Sequence, residues 1–440
     1  MIVDTKAITK LKAMIIAVIV VCAIIGSVAF YYFTQMGPAI VLKIQEFRIG
    51  VISTMTGSGG INGLQAMYAT EIAVNEINKA GGILGKIPVK VYYYDDRGDP
   101  GTGVTCAEKA ITVDGVNLIL GPWRSGVGLA VADVIAKYKV PMINPHGGGS
   151  LSFEDLIRSD PQKYKYLFMQ YGNAYMWGAW PAVPFITDVL KKEYGLTKYA
   201  IIGENLVWAH DCAKVLNDAL QKEGCELVYE GWTEYPCYDF SVYLSRAKEA
   251  GAQFIYLAYD AAEAVTYCKQ WYDQKIGIPT ISIGVYESDF RFWNWTEGKA
   301  QYHTFCNIGR FIGPDSAKLY PEFLKKYLAY CREHGIEESI PTQGAFNYDA
   351  VYLVVKAVEK TLEETKGEWD SDVFVEVLEK TTYSGVFGKI EFYGLDGEFP
   401  HRAKYGEGYR IYPIMQYLDG KPYIVYPPEF KEREWVKPTS

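Results

Sequence analysis

The sequence predicts an α/β protein made of two similar lobes, preceded by one apolar N-terminal helix. Short apolar runs alternate with helix-like stretches from residue 47 to residue 145, and the same alternation begins again near residue 166. Strands that alternate with helices are typical of right-handed βαβ units around a mostly parallel sheet. The apolar helix is predicted from residues 13–33, which contain no charged residue.

Residues 13–33 have the length of a membrane anchor. As a helix rising ~1.5 Å per residue, they span roughly 30 Å, the thickness of a bilayer's hydrocarbon core. Lysines within residues 1–12 predict a cytoplasmic N-terminus, with everything after the helix outside. An uncleaved anchor is favoured over a cleaved signal peptide, because no A-x-A-like site ends the run; Cys22 leaves a lipoprotein form open. Residues 34–46 form a tether with a Gly-Pro break.

Composition and cysteine usage limit the classes of function. The 440 residues carry a net charge of −8, and no basic run is present, so nucleic acid is not expected as a partner. Seven cysteines follow the anchor, at positions 106, 212, 225, 237, 268, 306 and 331. Because seven is odd, at least one thiol is expected to be free or paired between chains, and the spacings match no zinc motif.

The elements follow in two series. The first series has the strands FRIGVIS, IPVKVYYYDD, VNLILG and VPMINP, separated by the helices LQAMYATEIAVNEINKA, VTCAEKAITVDG and VGLAVADVIAKYK. The second has the strands YLFMQYG, KYAIIGE, ELVYEGW, QFIYLAY and TISIGV, with the helices DCAKVLNDALQKEG, FSVYLSRAKEAGA and EAVTYCKQWYDQK. Three further helical patterns come next: KLYPEFLKKYLAYCREHG, NYDAVYLVVKAVEKTLEET and WDSDVFVEVLEKT. The segments GKIEFYG, LDGEF and YRIYPIMQYLDGKPYIVY then predict antiparallel hairpins.

Unusual residues follow four of the strands: TMTGSGG, GPWRSG, NPHGGG and AYDAAE. Ligands of open parallel sheets bind beyond the carboxyl ends of the strands, so these stretches are expected to meet at one site. Ser125 at a helix N-terminus favours a carboxylate, and Asp260 suits an ammonium group. The alternative is that they are ordinary loops, with Ser125 acting as an N-cap.

Catalytic signals are few. The sequence has no G-x-S-x-G, no H-E-x-x-H, no P-loop and no complete dinucleotide fingerprint. Of the five histidines, His146 is the best placed to touch a ligand, because it follows a strand end. A binding protein without cofactor or metal is therefore expected, and an enzyme is the less favoured alternative.

The segments FRIGVIS, AVNEINKAGGILGKIPVKVYYYDDRGDP, VNLILGPWRSG and VPMINP resemble the solute-binding proteins of branched-chain amino-acid ABC importers. That resemblance covers roughly residues 47–430 and implies the type I periplasmic-binding-protein fold, a two-lobed clamshell. It implies a first lobe of 47–165 with 310–385, and a second of 166–309 with 386–430. Residues 431–440 would form a tail.

The resemblance also implies a ligand cleft between the lobes. Ser125 matches the family serine that holds the ligand carboxylate, while His146, Gly147 and Gly148 stand where the family has alanine and threonine. The complete set of predicted ligand-binding residues is Trp123, Arg124, Ser125, His146, Gly147, Gly148, Trp208, Asp260, Tyr286 and Glu287. In this prediction Ser125 and the amides near 147–148 hold the anionic end of the ligand. Asp260 and Glu287 hold its cationic end, and the two tryptophans form walls.

The expected function is therefore that of a membrane-anchored, extracytoplasmic binding protein. It would capture a small amino-acid-like, amide or carboxylate solute and deliver it to an ABC permease with its ATPase subunits. A sensory or receptor ectodomain of the same fold is the alternative. A neighbouring permease gene would favour transport, and a two-component partner would favour sensing.

Overall fold

Two open sheets, each with helices packed against it, form the two lobes of the molecule. The structure is a computed structural model that describes residues 42–57, 59–147, 150–259, 262–307 and 316–438, together with Val21 and Ile24. Apart from those two residues, the predicted anchor at 13–33 lies outside the described part of the chain. None of the described helices combines the length and the apolar character that crossing a bilayer requires.

The first sheet is parallel, with the strand order β2-β1-β3-β4-β5 within the described residues. Its strands are β1 (Phe47–Ser53), β2 (Val89–Asp95), β3 (Leu118–Leu120), β4 (Met142–Asn144) and β5 (Leu167–Met169). Strands β3, β4 and β5 are buried along their whole length. Because helices cover both faces of such a sheet, its strands are continuous apolar runs rather than alternating ones.

Helices from two separate parts of the chain pack on this sheet. The first group is α1 (Gly60–Lys79), α2 (Pro100–Thr112), α3 (Ser125–Tyr138), α4 (Ser152–Ser159) and α5 (Pro161–Tyr164). Much later in the chain, α11 (Ser316–Glu333), α12 (Gly344–Glu364) and α13 (Ser371–Glu379) return to the same lobe. The return is held by polar contacts between α12 and α1, in which Tyr348 donates to Glu76 Oε2 at 2.7 Å.

The second sheet has the order β14-β13-β10-β9-β8-β6-β7. Its strands are β6 (Lys198–Glu204), β7 (Glu226–Thr233), β8 (Phe254–Ala258), β9 (Thr280–Gly284), β10 (Thr304–Asn307), β13 (Ile414–Leu418) and β14 (Lys421–Tyr426). Strands β6 to β10 are parallel, whereas β13 and β14 form the antiparallel hairpin predicted from the DGK turn.

The second lobe has its own helices. They are α6 (Ala182–Phe185), α7 (Val207–Lys222), α8 (Ser241–Glu249), α9 (Glu263–Asp273) and α10 (Phe292–Trp295), with π-helical turns at Ala174–Ala179 and Ile186–Lys191 and a 3₁₀ turn at Tyr286–Ser288. A small separate hairpin joins β11 (Tyr383–Gly385) to β12 (Gly388–Ile390), and a 3₁₀ turn, Pro428–Phe430, follows β14.

The observed sheets place several chain segments differently from the prediction. Strand β5 pairs with β4, so the first sheet continues past residue 165, where the resemblance placed the lobe boundary. The predicted strand LDGEF lies in turns, and GKI pairs with residues 383–385 instead. No disulfide forms among the seven described cysteines, so none joins these segments.

Candidate functional site: the cleft between the lobes

The carboxyl ends of the strands of both sheets meet at one cleft. Asp96 follows β2, Arg124 follows β3 and His146 follows β4 on the first lobe, while Glu204 ends β6 and Tyr235 follows β7 on the second. All but Tyr235 are among the residues that the fold buries almost completely. The meeting of several polar residues at opposed strand ends is what the ligand-binding rule for open α/β sheets predicts.

Arg124 connects the two lobes. Its guanidinium carbon lies 4.4 Å from the ring centroids of both Trp123 and Tyr235, and Nη2 donates to the Tyr235 hydroxyl. Its Nη1 lies 4.0 Å from Oε1 of Glu204. A planar guanidinium stacks on aromatic faces while its N–H groups remain free to point sideways, and this geometry suits recognition of a carboxylate.

Glu204 is the acidic counterpart of Arg124 on the second lobe. It is fully buried, and its Oε1 accepts a 2.6 Å hydrogen bond from Nε1 of Trp208, in the first turn of α7. The indole thereby fixes the position of the carboxylate. A buried acid next to a buried arginine places opposite charges on the two walls of the cleft.

A second buried acid, Asp96, faces the cleft from the first lobe. Its Oδ1 accepts hydrogen bonds from Thr54 Oγ1 at 2.7 Å and from the Gly98 amide at 2.8 Å. Burial raises the pKa of Asp96, although the two hydrogen bonds and the nearby charge of Arg124 counteract this. Its Oδ2 is buried and has no hydrogen-bond partner among the described residues.

Ser125 is the first residue of helix α3 and not its N-cap. The N-cap position belongs to Arg124, whose side chain makes no capping hydrogen bond. The alternative that Ser125 serves as an N-cap is therefore wrong. Ser125 is 5% exposed and lies in the first turn of the helix, beside the first-turn amides. Such amides and the helix dipole favour a bound anion.

Hydrogen bonds of Asn144 join the segment after β4 to the segment after β3. Asn144 donates from Nδ2 to the carbonyl of Pro122 at 2.6 Å and accepts from the Gly147 amide at 2.7 Å. A Cβ at Gly147 would lie 1.9 Å from the carbonyl oxygen of Trp123, so only glycine fits there. The Gly147 amide, predicted to hold a ligand, is already hydrogen-bonded within the chain.

His146 lies in the segment after β4 and is 2% exposed. Both ring nitrogens are buried, and neither has a hydrogen-bond partner among the described residues. Burial lowers the pKa of His146 to about 3, because the low-dielectric surroundings penalise the imidazolium form. At neutral pH the ring is therefore uncharged and can donate one hydrogen bond and accept another.

The remaining predicted residues that the structure describes are Tyr286 and Glu287. Tyr286 lines a cavity of about 650 Å³ with Ile61 of the first lobe and Trp295 of the second, and the cleft residues described above do not line that cavity. Glu287 is buried inside the second lobe, where its Oε1 accepts from Ser282 Oγ at 2.6 Å and lies 3.3 Å from His303 Nε2. Gly148 and Asp260 lie outside the described residues.

Sequence reasoning missed Glu204 and Tyr235. Glu204 had a detectable signal, since it is the last residue of the predicted strand KYAIIGE and so stands at a carboxyl end, as the residues after β3 do. Tyr235 gave no such signal, because it lies in the loop between β7 and α8 and only tertiary packing brings it to Arg124.

The sequence also matches a known family of proteins. A family model described as "Periplasmic binding protein" matches residues 46–407, which include the first sheet, strands β6 to β10 of the second sheet and the cleft residues described above. The chain belongs to the periplasmic binding protein family. The resemblance inferred from the sequence is thereby confirmed.

Individual relatives of this periplasmic binding protein agree with that assignment. The "Leu/Ile/Val-binding protein homolog 3" of Brucella melitensis is 26% identical over 341 residues, which cover 76% of this chain and 83% of the relative. A putative branched-chain amino acid ABC transporter protein from Silicibacter pomeroyi has a TM-score of 0.73 at 17% identity, covering 89% of this chain and 99% of the other.

A second similar structure contains a ligand. It is a solute binding protein of an ABC transporter from Rhodopseudomonas palustris, in complex with 3,4-dihydroxybenzoic acid. Its TM-score is 0.69 at 21% identity, and the match covers 90% of this periplasmic binding protein and 99% of the other chain. At these identities the two structures establish the two-lobed fold of this chain. The ligand of this chain has to be inferred from the residues of its own cleft.

Proposed function

We propose that this periplasmic binding protein captures a zwitterionic, amino-acid-like solute between its lobes and delivers it to an ABC importer. The observation that supports this most directly is the buried pair formed by Arg124 and Glu204, whose charged atoms approach to 4.0 Å from opposite lobes. An α-amino acid has the complementary pair of charges. A carboxylate would lie against Arg124 and an ammonium group against Glu204.

The energetics favour a solute that brings both charges. Two ions buried in a closed cleft lose their hydration, and that loss is offset only when good hydrogen bonds replace it. A zwitterion supplies acceptors for the guanidinium and donors for the carboxylate at once. Ligand binding would therefore favour the closed arrangement over the open one.

Other cleft residues have roles consistent with this proposal. Ser125 and the first-turn amides of α3 would share the ligand carboxylate with Arg124. Neutral His146 would contribute one hydrogen bond, and Trp123 and Trp208 would form walls. Gly148, Tyr286 and Asp260 remain predicted ligand contacts from the sequence, the last for the ammonium group.

An aromatic carboxylate is the second candidate, because the rings of Trp123 and Tyr235 flank the guanidinium of Arg124. The similar protein from Rhodopseudomonas palustris was solved with such an acid. Glu204 argues against it here, since a ligand without positive charge would place a second carboxylate near a buried one. Like charges in a desolvated site repel strongly.

Titration calorimetry with leucine, phenylalanine and benzoate tests the choice between them. We expect an amino acid to bind more tightly than benzoate, and Glu204→Gln to weaken its binding at least about tenfold, the loss of one charge-assisted hydrogen bond. The same variant should leave benzoate affinity unchanged or improved. Exposed Glu226, paired with Lys198 at 3.3 Å, provides the control variant Glu226→Gln, which should bind like the parent. Tighter binding of benzoate than of any amino acid would contradict the proposal.

We further propose that residues 13–33 anchor the protein in the membrane, so that the lobes lie outside the cytoplasm. The support is the uncharged run itself, with lysines on its N-terminal side. The full chain is expected in the membrane fraction after carbonate washing, and a chain beginning at residue 42 in the soluble fraction. Recovery of the full chain in the soluble fraction would contradict the anchor.

A further inference from the structure

A second cavity, separate from the cleft, lies between α4 and the π-helical turn Ala174–Ala179. It has a volume of about 590 Å³. Its lining residues are Leu151, Glu154, Asp155 and Arg158 in and just before α4, Tyr175, Met176 and Trp180 at the π-helical turn Ala174–Ala179, and Tyr393, Glu398, Phe399 and Tyr405 after β12. None of these residues belongs to the cleft described above.

Aromatic rings form the walls of this cavity, and they are inclined to one another. The rings of Trp180 and Tyr405 are 5.4 Å apart at 52°, and those of Tyr175 and Phe399 are 5.9 Å apart at 49°. Tyr393 meets Phe399 at 5.6 Å in an edge-to-face pair. Inclined rings present their electron-rich faces from several directions, which is how aromatic cages surround organic cations.

Two of these rings are open to solvent at the cavity. Trp180 is 55% exposed and Tyr175 is 46% exposed. A tryptophan of that exposure contributes little to the core. Its position at the mouth of an aromatic cavity is more readily explained by contact with a ligand.

One acidic residue of the cavity lining has no ion pair within the described part of the chain. Glu154 is paired with Arg402 behind the wall, at 2.8 Å, and Asp155 with Arg158 at 3.3 Å. Glu398 has no ion pair within the described part of the chain, and only its backbone carbonyl accepts from Arg158. Glu398 is thus the one lining acid without an ion pair in the described part of the chain, which suits a monovalent cation.

The back wall of the cavity is rigid. Arg402 is fully buried and donates from Nε and Nη2 to the two oxygens of Glu154, at 2.8 and 2.9 Å, and Asn173 donates to the same carboxylate at 2.9 Å. Both carboxylate oxygens of Glu154 are thus held by charge-assisted hydrogen bonds. A cation entering the cavity would thus meet a preformed surface.

The location links the cavity to both lobes. Leu151 lines it from the first lobe, and its backbone amide donates to Asp211 Oδ2 of α7, at 2.9 Å, on the second. The aromatic residues Tyr175 and Trp180 lie at a π-helical turn, a rare conformation that occurs frequently at functional sites.

We propose that this cavity is a second ligand site that binds a small organic cation, of the quaternary ammonium type. The aromatic faces and the carboxylate of Glu398 both favour such a cation and disfavour anions. The inference does not depend on the amino-acid specificity of the cleft.

Calorimetry with choline tests the proposal, with 3,3-dimethylbutan-1-ol as the uncharged ligand of the same shape. Choline should bind the full chain with a dissociation constant on the order of 1 mM or tighter, and the alcohol at least about tenfold more weakly. Trp180→Ala and Glu398→Gln should each weaken choline binding by about fivefold or more. The control Tyr272→Ala, which removes a 50% exposed ring on α9, should leave it unchanged.

Three results of these titrations would overturn the proposal, and a fourth comes from the cleft variant below. The three are absence of choline binding, equal binding of choline and the alcohol, and choline binding that neither variant weakens. The variant Arg124→Gln distinguishes the two sites. Loss of amino-acid binding with retained choline binding supports a separate cavity, whereas parallel loss of both would show that choline occupies the cleft. Failure of the cleft to bind amino acids would leave this result unaffected.

Discussion

Arg124 and Glu204 lie 4.0 Å apart across the cleft, both nearly or fully buried, and each belongs to a different lobe. Any separation of the lobes at this point would break the pair and expose both ions to water.

Removing both members of this pair should cost less affinity than the two single removals added together. Arg124→Gln leaves Glu204 buried without its cation, so we expect amino-acid affinity to fall by at least about tenfold. Arg124→Gln combined with Glu204→Gln should fall by less than the product of the two single effects. A double-mutant cycle measured by calorimetry reports this coupling, and strictly additive losses would show that the pair does not act as a unit.

A hydrogen-bonded contact away from the ligand should also favour closure. Asp211 on α7 accepts from the Ser150 hydroxyl and, at 2.9 Å, from the Leu151 amide of the other lobe. Asp211→Asn should weaken solute affinity by about threefold to tenfold, since the closed form loses a charge-assisted contact. Asp218→Asn on the same helix removes only an exposed pair with Lys214 and should have no effect. Equal affinities of the two variants would refute this role.

Gly147 should tolerate no side chain. Gly147→Ala places a Cβ 1.9 Å from the Trp123 carbonyl oxygen, so the segments after β3 and β4 must separate. We expect a loss of roughly 2–3 kcal/mol in the free energy of unfolding, together with weaker solute binding. Gly126→Ala is the control, because no neighbouring atom lies within 4 Å of the added Cβ. Its free energy of unfolding should be unchanged or slightly higher. Urea denaturation of both variants checks the contrast, which would fail if they were equally stable.

Buried His146 should lower the free energy of unfolding as the pH falls below neutral. Its folded-state pKa of about 3 lies below its ordinary value of 6.5, so the unfolded chain binds an extra proton between those pH values. The stability from this residue is present in full above pH 6.5 and decreases as the pH falls toward 3, by at most ~1.4 kcal/mol per unit.

Comparison with His146→Gln isolates that contribution. The variant should lose stability less steeply than the parent between pH 6.5 and pH 4, as measured by urea denaturation at each pH. In the parent, the imidazole ¹⁵N shifts of His146 should remain those of a neutral ring down to pH 5. A ring that titrates near pH 6 would contradict the assignment.

The sequence by itself determined the βα alternation, the two lobes and the position of the site at the strand ends, because hydrophobic periodicity and strand-end residues are local properties. It therefore predicted Trp123, Arg124 and Ser125 as neighbours after β3. Only the tertiary structure decided which acid opposes Arg124. Glu204 and Glu287 both stand at the ends of strands of the same sheet, yet one points to the cleft and the other to Ser282 and His303 inside the lobe. That choice depends on how side chains pack around each strand end, and no spacing along the chain encodes it.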